Sequence, residues 1–155
     1  GFPDARLVVV GDGKLKHDLE KYADKIGIKE NVSFLGALSD TKEVLHIFDV
    51  FVLPSVKEGL GLAVLEAMAG GVPCVTTKSC GLSDIIKKND IGLIVEPEDD
   101  ISLKEAIEVL LKDKSLRDKF ISREKVFIKE NFSIDKMAKD VEEFYTEALK
   151  EYESR

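Results

Sequence analysis

The sequence predicts a doubly wound α/β domain with a parallel sheet of five strands and a C-terminal helical tail. Short apolar runs alternate with amphipathic segments over the first two thirds of the chain. The runs are continuous rather than alternating, which is typical of strands that are covered on both faces of a parallel sheet. Beyond Pro97 the strand patterns stop and only helical patterns follow.

The five predicted strands end at turn-forming residues. The Gly11-Asp12-Gly13 run follows the first strand, Gly36 closes the second, and Pro54 stops the third. The predicted strands cover residues 7–10, 32–35, 50–53, 75–77 and 92–95.

Amphipathic segments between these strands predict the helices. A first helix follows Gly13, and a second begins after Ser39 or Asp40, either of which can cap it. A third covers residues 61–69, and a short fourth lies near residues 83–87. The tail is predicted as helices over 101–111, 115–131 and 133–151, with Asp100 or Ser102 capping the first and Ser133 capping the last.

Length and composition indicate one domain over residues 1–155, of which 98–155 form the tail. Hydrophobic residues make up 44% of the chain and charged residues 34%, as in folded globular proteins. The net charge of −7 argues against a partner nucleic acid. No apolar run is long enough to span a membrane, and two cysteines are too few for a disulfide framework. A cytoplasmic location is therefore expected.

The segment 54–73, PSVKEGLGLAVLEAMAGGVP, is the most informative part of the chain. It places Glu58 and Glu66 on either side of a glycine-rich entry into a helix. Glycines let a ligand approach the backbone, and a helix start offers free N–H groups to an anion. Carboxylates accept hydrogen bonds from sugar hydroxyls, so the pattern indicates a ligand that is part phosphate and part sugar. A purely structural role, with a glutamate complementing the helix dipole, also fits this spacing.

The spacing of the two glutamates favours different positions for them. In one continuous helix they would lie about 80° apart and about 12 Å along the axis. Gly59 and Gly61 suggest instead that Glu58 lies in the loop and Glu66 inside the helix. In a doubly wound sheet, ligands bind in the crevice beyond the carboxyl ends of the strands, where this loop is predicted.

The run EGLGLAVLEAMAGGVP closely resembles the signature of retaining GT-B glycosyltransferases, the large group that includes glycogen, sucrose and mannosyl synthases. The motifs LVVVGDG, VSFLG, DVFVLPS and GLIVEP appear in the same order. The resemblance covers essentially the whole chain and implies a Rossmann-like donor-binding domain. It also implies transfer of a hexosyl group from a nucleotide diphosphate sugar to an acceptor hydroxyl, with retention at the anomeric carbon, in carbohydrate biosynthesis.

The resemblance also assigns roles to residues. Glu58 lies by the donor sugar, as the catalytic residue, and Glu66 holds the ribose hydroxyls. The backbone at Ala37 and Leu38 lies near the base. Gly81 lies in a loop expected near the donor, where Cys80 replaces a glycine. The N–H groups that face the distal phosphate are those around Gly59, Leu60, Gly61 and Leu62.

The implied donor is of the UDP, GDP or ADP type, and neither a cofactor nor a metal is expected. The motif leaves the base, the sugar, the acceptor and the detailed retaining mechanism open. A carbohydrate or lipid-linked acceptor is expected to bind a missing N-terminal domain, through which the protein would lie at a membrane. The chain is then a fragment that is inactive by itself.

A first strand and helix, whose loop carries an Arg and a Lys in such enzymes, are also missing from the chain. The strands at 7–10 and 50–53 would flank the missing central strand, so either they pair with each other or another chain fills the space. Contact between copies through the exposed sheet or the tail is a further expectation.

Two alternatives are weighed against an enzyme fragment. One is a stand-alone nucleotide-sugar binding or assembly module that works with a separate acceptor-domain chain. The other is an unrelated dinucleotide-binding domain, which is the weaker because Gly11-Asp12-Gly13 lacks a third glycine at the required spacing.

Overall fold

A computed structural model describes residues 2–153 and confirms the predicted α/β class, with parallel sheets and a C-terminal helical tail. The chain divides into two compact units, Gly1–Thr41 and Lys42–Arg155. The expectation of a single domain over residues 1–155 stays a prediction.

The first unit is a small βαβ structure. Strand β1 (Leu7–Val10) runs parallel to β2 (Val32–Gly36), and helix α1 (Lys16–Lys25) connects them through a short 3₁₀ turn at Lys29–Asn31. The register aligns Leu7 with Val32. Both strands begin and end close to the residues predicted from their apolar runs.

The second unit contains a three-stranded parallel sheet in the order β3, β4, β5. All four residues of the central strand β4 are buried, as expected for a strand that is covered on both faces. The strands and the helices that accompany them are β3 (Phe51–Leu53), β4 (Cys74–Thr77), β5 (Leu93–Val95), α2 (Lys42–Leu45), α3 (Leu62–Ala69) and α4 (Ser83–Asn89).

The tail consists of α5 (Asp100–Lys112), α6 (Lys114–Asn131) and α7 (Ile134–Glu153). The cap of α5 was predicted wrongly, because Asp99 rather than Asp100 or Ser102 caps it: the Asp99 carboxylate accepts the Ser102 N–H at 2.9 Å. Ser102 contributes as a donor to that carboxylate, through its hydroxyl as well. Ser133 caps α7 as predicted, since its hydroxyl accepts the Lys136 N–H at 3.2 Å.

The strands that would flank a missing central strand each lie at an edge. Among residues 2–153, β1 has a ladder partner only in β2, and β3 only in β4. The first of the two expected arrangements, direct pairing of these strands, is therefore not found. The filling of the gap by another chain stays a prediction.

Helix α7 exposes a row of large apolar side chains to solvent, among them Ile134, Met137, Phe144 and Tyr152. Contact between copies through this surface stays a prediction. Within the described part of the chain, no helix combines the length and the apolar character that crossing a bilayer requires.

Candidate functional site

The loop between β3 and α3, residues 54–61, ends in a glycine with left-handed backbone geometry. Gly61 has φ +86° and is the N-cap of α3, a conformation that favours glycine. Its carbonyl accepts the Val64 N–H at 2.9 Å and begins the helix. No side chain caps this helix. The N–H groups of Leu62 and Ala63 come before the first bond of the helix and have no intrahelical acceptor, so this end of the helix suits an anion.

Glu58 and Glu66 occupy the kinds of position that the glycine spacing predicted. Glu58 is half-buried in the loop, where its Oε1 accepts the Gly59 N–H at 3.1 Å and its Oε2 accepts the Ser55 hydroxyl at 3.5 Å. Glu66 lies inside α3 and is exposed. Their roles at a sugar and at a ribose stay predictions.

Hydroxyl groups at the end of β4 hold the beginning of this loop. The Thr77 and Ser79 hydroxyls lie 2.6 and 2.7 Å from the carbonyl oxygen of Ser55 and 2.8 Å from each other. Each hydroxyl carries one proton, so at most two of these three contacts are hydrogen bonds at one moment. Ser55 in turn donates to Glu58. The end of β4 thereby fixes the segment from which the Glu58 carboxylate projects.

Replacing Thr77 with valine is expected to lower the free energy of unfolding by about 1–3 kcal/mol. Thr77 is buried, and the substitution takes a hydroxyl from the Ser55 carbonyl without changing the side-chain volume much. Urea unfolding provides the measurement. Thr146→Val on the exposed face of α7 removes a hydroxyl that bonds only within its own helix and is the control. Equal midpoints for both variants would show that the β4 hydroxyl does not hold the loop.

Gly81 packs directly against the same loop. A Cβ added to Gly81 would lie 2.0 Å from the Gly59 carbonyl oxygen and 3.3 Å from the Leu60 Cα. The structure therefore places Gly81 beside the loop for which a donor-binding role was predicted. That role stays a prediction, as does the phosphate contact of the loop residues Gly59, Leu60, Gly61 and Leu62.

Ala37 and Leu38 follow β2 in the first unit, and both are exposed. Their contact with a base stays a prediction. Sequence reasoning missed Ser55, Thr77 and Ser79 as parts of the second unit's site. The signal that could have found them is the presence of hydroxyl residues at the carboxyl ends of two neighbouring strands.

Charged groups near the strand ends are engaged in local contacts. Lys78, directly after β4, forms an ion pair with Glu96, directly after β5. In the first unit the Arg6 guanidinium donates to the Glu30 carbonyl at 2.9 Å. Over residues 2–153, no three or more His, Cys, Asp or Glu side chains are grouped so that they could hold a metal ion.

This chain has a parallel sheet and a glycine-rich loop that leads from the end of a strand into an uncapped helix. These features are typical of α/β domains that bind a ligand at the carboxyl ends of the strands. The profile of the family "Glycosyl transferases group 1" matches residues 1–127. The chain belongs to this family of glycosyltransferases.

Similar proteins support the assignment over most of the chain. N-acetyl-alpha-D-glucosaminyl L-malate synthase of Bacillus anthracis is 33% identical over 96% of this chain and 39% of its own length. The UDP-Gal:alpha-D-GlcNAc-diphosphoundecaprenol alpha-1,3-galactosyltransferase of Escherichia coli is 37% identical over 74% of this chain and 30% of its own length. The chain thus spans well under half the length of these relatives.

Among solved structures, the C-terminal domain of a group 1 glycosyltransferase, LpcC, from Francisella tularensis is similar to this chain. It has a TM-score of 0.75 and 29% identity, over 86% of this chain and 72% of that domain.

Proposed function

We propose that this chain is the donor-binding domain of a retaining glycosyltransferase that transfers a hexosyl group from a nucleotide diphosphate sugar to an acceptor hydroxyl. The observation that carries the proposal is the loop from Ser55 to Gly61. This loop carries one carboxylate, Glu58, and leads into an uncapped helix that carries a second one, Glu66. These are the groups that a ligand of phosphate and sugar requires.

The diphosphate is the leaving group and gains negative charge as the glycosidic bond breaks. N–H groups at Gly61 and Leu62, aimed at that charge from the start of α3, would stabilise the transition state. Glu58 would accept hydrogen bonds from ring hydroxyls and stabilise the positive charge that develops on the sugar. Its carboxylate is oriented for this by Ser55 and the Gly59 N–H.

Glu66 would accept hydrogen bonds from the ribose hydroxyls, and the backbone at Ala37 and Leu38 would meet the base. We propose a donor of the UDP, GDP or ADP type and no resident metal, with the backbone N–H groups meeting the phosphate charge. The E. coli relative named above uses UDP-Gal by its name. A carbohydrate or lipid-linked acceptor and a cytoplasmic location are parts of the same proposal.

The 155-residue chain is expected to bind a donor without transferring the sugar. The relatives are more than twice as long, and an acceptor surface would lie in their additional length. Turnover by this chain alone would contradict its role as one part of an enzyme. Turnover only after addition of a separate acceptor-domain chain would support the alternative of an assembly module.

Calorimetry with UDP-glucose, GDP-glucose and ADP-glucose tests the proposal, with the three free nucleoside diphosphates as companions. Glu66→Ala is expected to lower the affinity for both the nucleotide sugar and the free nucleotide by about tenfold to a hundredfold, because both contain the ribose. Glu58→Ala is expected to lower only the affinity for the nucleotide sugar.

Glu105→Ala, which removes an exposed carboxylate on α5, is the matched control and should leave both affinities unchanged. An equal loss of free-nucleotide affinity in the Glu58 and Glu66 variants would overturn the division of roles. If none of the six compounds binds, the proposed function itself fails.

A further inference from the structure

The thiol of Cys80 lies directly beneath the glycine-rich loop. Cys80 is 1% exposed, and its Sγ–H donates to the Leu60 carbonyl at 3.6 Å. A Cβ added to Gly61 would lie only 2.6 Å from this sulfur. The sulfur thus packs against the backbone of Gly61, the residue that begins α3. This backbone cannot move towards Cys80 without displacing the sulfur.

The turn that carries Cys80 has backbone hydrogen bonds to segments other than the loop. The Cys80 N–H donates to the Thr77 carbonyl at 3.1 Å, and the Cys80 carbonyl accepts the Ser83 N–H at 2.9 Å. These bonds join the turn to the end of β4 and the start of α4. The loop, by contrast, contains two glycines and an exposed Leu60. The turn is therefore the fixed partner, and the end of the loop at residues 59–61 is the part that can move.

We propose that Cys80 is a positioning residue: its contact with Gly61 fixes the position of the loop and thereby orients the N–H groups at the start of α3. The inference rests on the proposed function, because the ligand that these N–H groups meet is the donor phosphate. Removal of the sulfur leaves a cavity next to Gly61, and the loop can move into this cavity. The N–H groups would then point away from the position that the phosphate takes in the native loop.

The first experiment measures donor affinity at a temperature where every variant is folded. We expect Cys80→Ala to bind the preferred nucleotide sugar roughly three- to tenfold more weakly. Cys80→Ser retains a donor for the Leu60 carbonyl and is expected to lie between alanine and the unsubstituted chain. Cys74→Ala is the matched control: this thiol is equally buried, bonds to the Val72 carbonyl at 3.2 Å, and lies outside the loop, so its loss should lower stability without changing the affinity.

The second experiment uses the thiol as a reporter of loop opening. Iodoacetamide reaches Cys80 when the loop lifts, whereas Cys74 in the core becomes accessible only through larger unfolding. Without ligand, Cys80 is expected to be alkylated roughly tenfold faster than Cys74, whose burial both blocks the reagent and raises the pKa of its thiol; peptide mass spectrometry measures the rates. A nucleotide sugar at ten times its Kd is expected to slow the alkylation of Cys80 about tenfold.

The outcomes separate this inference from the function on which it rests. If the unsubstituted chain binds none of the nucleotide sugars, the proposed function fails and the inference falls with it. If it binds one, and Cys80→Ala binds that donor with unchanged affinity, only the inference fails. A Cys80 alkylation rate that does not change while calorimetry shows the site occupied would likewise overturn it.

Discussion

Replacing Gly81 with alanine is expected to displace the glycine-rich loop and to lower the free energy of unfolding by about 3 kcal/mol or more. The new Cβ would lie 2.0 Å from the carbonyl oxygen of Gly59 and 3.1 Å from its carbonyl carbon. Both obstacles are backbone atoms, so no rotamer change relieves the clash. The two segments must separate by more than an ångström, which moves the loop that carries Glu58.

Thermal and urea unfolding measure the loss, and calorimetry with a nucleotide sugar measures the displaced loop. Gly59→Ala is the control from the other side of the same contact. Its Cβ would meet no atom within 4 Å, and Gly59 is outside the group of glycines with positive φ. We therefore expect Gly59→Ala to change stability by less than about 0.5 kcal/mol. A Gly81→Ala chain as stable as the Gly59→Ala chain would show that the turn and the loop are not in tight contact.

Gly61 provides a test of the same packing through a pair of substitutions. Gly61→Ala introduces both a side chain at φ +86° and a clash with the Cys80 sulfur at 2.6 Å. Combining it with Cys80→Ala removes the clash but leaves the backbone strain, which costs about 1–2 kcal/mol. The double variant is thus expected to be more stable than Gly61→Ala alone, whereas two independent sites would give additive losses.

The sequence predicted the elements well because continuous apolar runs and turn residues are local signals. Strands β1 and β5 are the clearest cases, since their sequences LVVV and LIV contain only apolar residues. The cap of α5 was missed because Asp99, Asp100 and Ser102 are all able to cap a helix. Only the backbone path decides that the Asp99 carboxylate meets the Ser102 N–H.

The parts of the site that sequence reasoning missed depend on contacts between distant segments. Ser55 and Thr77 are 22 residues apart, and nothing in the local pattern of either segment indicates that they touch. The contact between Gly59 and Gly81 is of the same kind. The two glutamates could be placed because the glycines between them mark the boundary of loop and helix within one short segment.

The burial of Glu124 was hidden for a different reason. It lies in a charged segment of α6, between Arg123 and Lys125, and such a pattern is typical of a solvated helix face. In the structure its side chain is 0% exposed, and neither carboxyl oxygen makes a hydrogen bond of normal geometry. Helix α6 packs on α3 and brings this carboxyl group into the interior near Cys74.

Burial makes Glu124 an acid that keeps its proton at neutral pH. Loss of solvation raises the pKa of Glu124 from an ordinary value of 4.5 to about 8, and the backbone of Cys74 opposes this only in part. The thiol of Cys74 has its pKa raised as well, by its own burial first and then by the Glu124 charge. A charge on Glu124 therefore disfavours ionisation of the Cys74 thiol.

The consequence for stability follows from the numbers of protons bound. Between pH 4.5 and 8 the unfolded chain has lost the Glu124 proton while the folded chain retains it. The stabilising contribution of the protonated form is thus fully present below pH 4.5 and is lost as the pH rises towards 8. Through Glu124 the free energy of unfolding should fall by about 1 kcal/mol per pH unit across this interval, and this contribution to the slope should vanish above it.

Three carboxylates act in the opposite direction at acid pH. The pKa of Asp90 is lowered by its hydrogen bond and ion pair with Lys119 and by Arg123. Hydrogen bonds from Ser102 lower the pKa of Asp99, and Lys112 lowers that of Glu108. The stability that these groups contribute is present above their ordinary pKa of about 4 and is lost as the pH falls below it. Maximum stability is therefore expected in mildly acidic solution.

Glu124→Gln tests the assignment, because a glutamine has nearly the same shape and no proton to lose. Urea unfolding at pH 5, 6.5 and 8.5 should show a falling stability for the unsubstituted chain and a nearly flat one for the variant. At pH 8.5 the variant is expected to be the more stable by several kcal/mol, since it does not place a charge in the interior. Glu130→Gln, an exposed position on the same helix, should retain the slope of the unsubstituted chain.

The direct measurement is the carboxyl carbon resonance of Glu124, which should titrate with a midpoint near 8 in the folded chain. A midpoint near the ordinary value of 4.5, or equal slopes for Glu124→Gln and Glu130→Gln, would contradict the burial of a neutral acid under α6. With the predicted midpoint, ionisation above pH 8 would place a charge between α6 and the beginning of β4. Loosening at alkaline pH should then begin at the contact of α6 with α3, so hydrogen exchange of those two helices should quicken before that of α5.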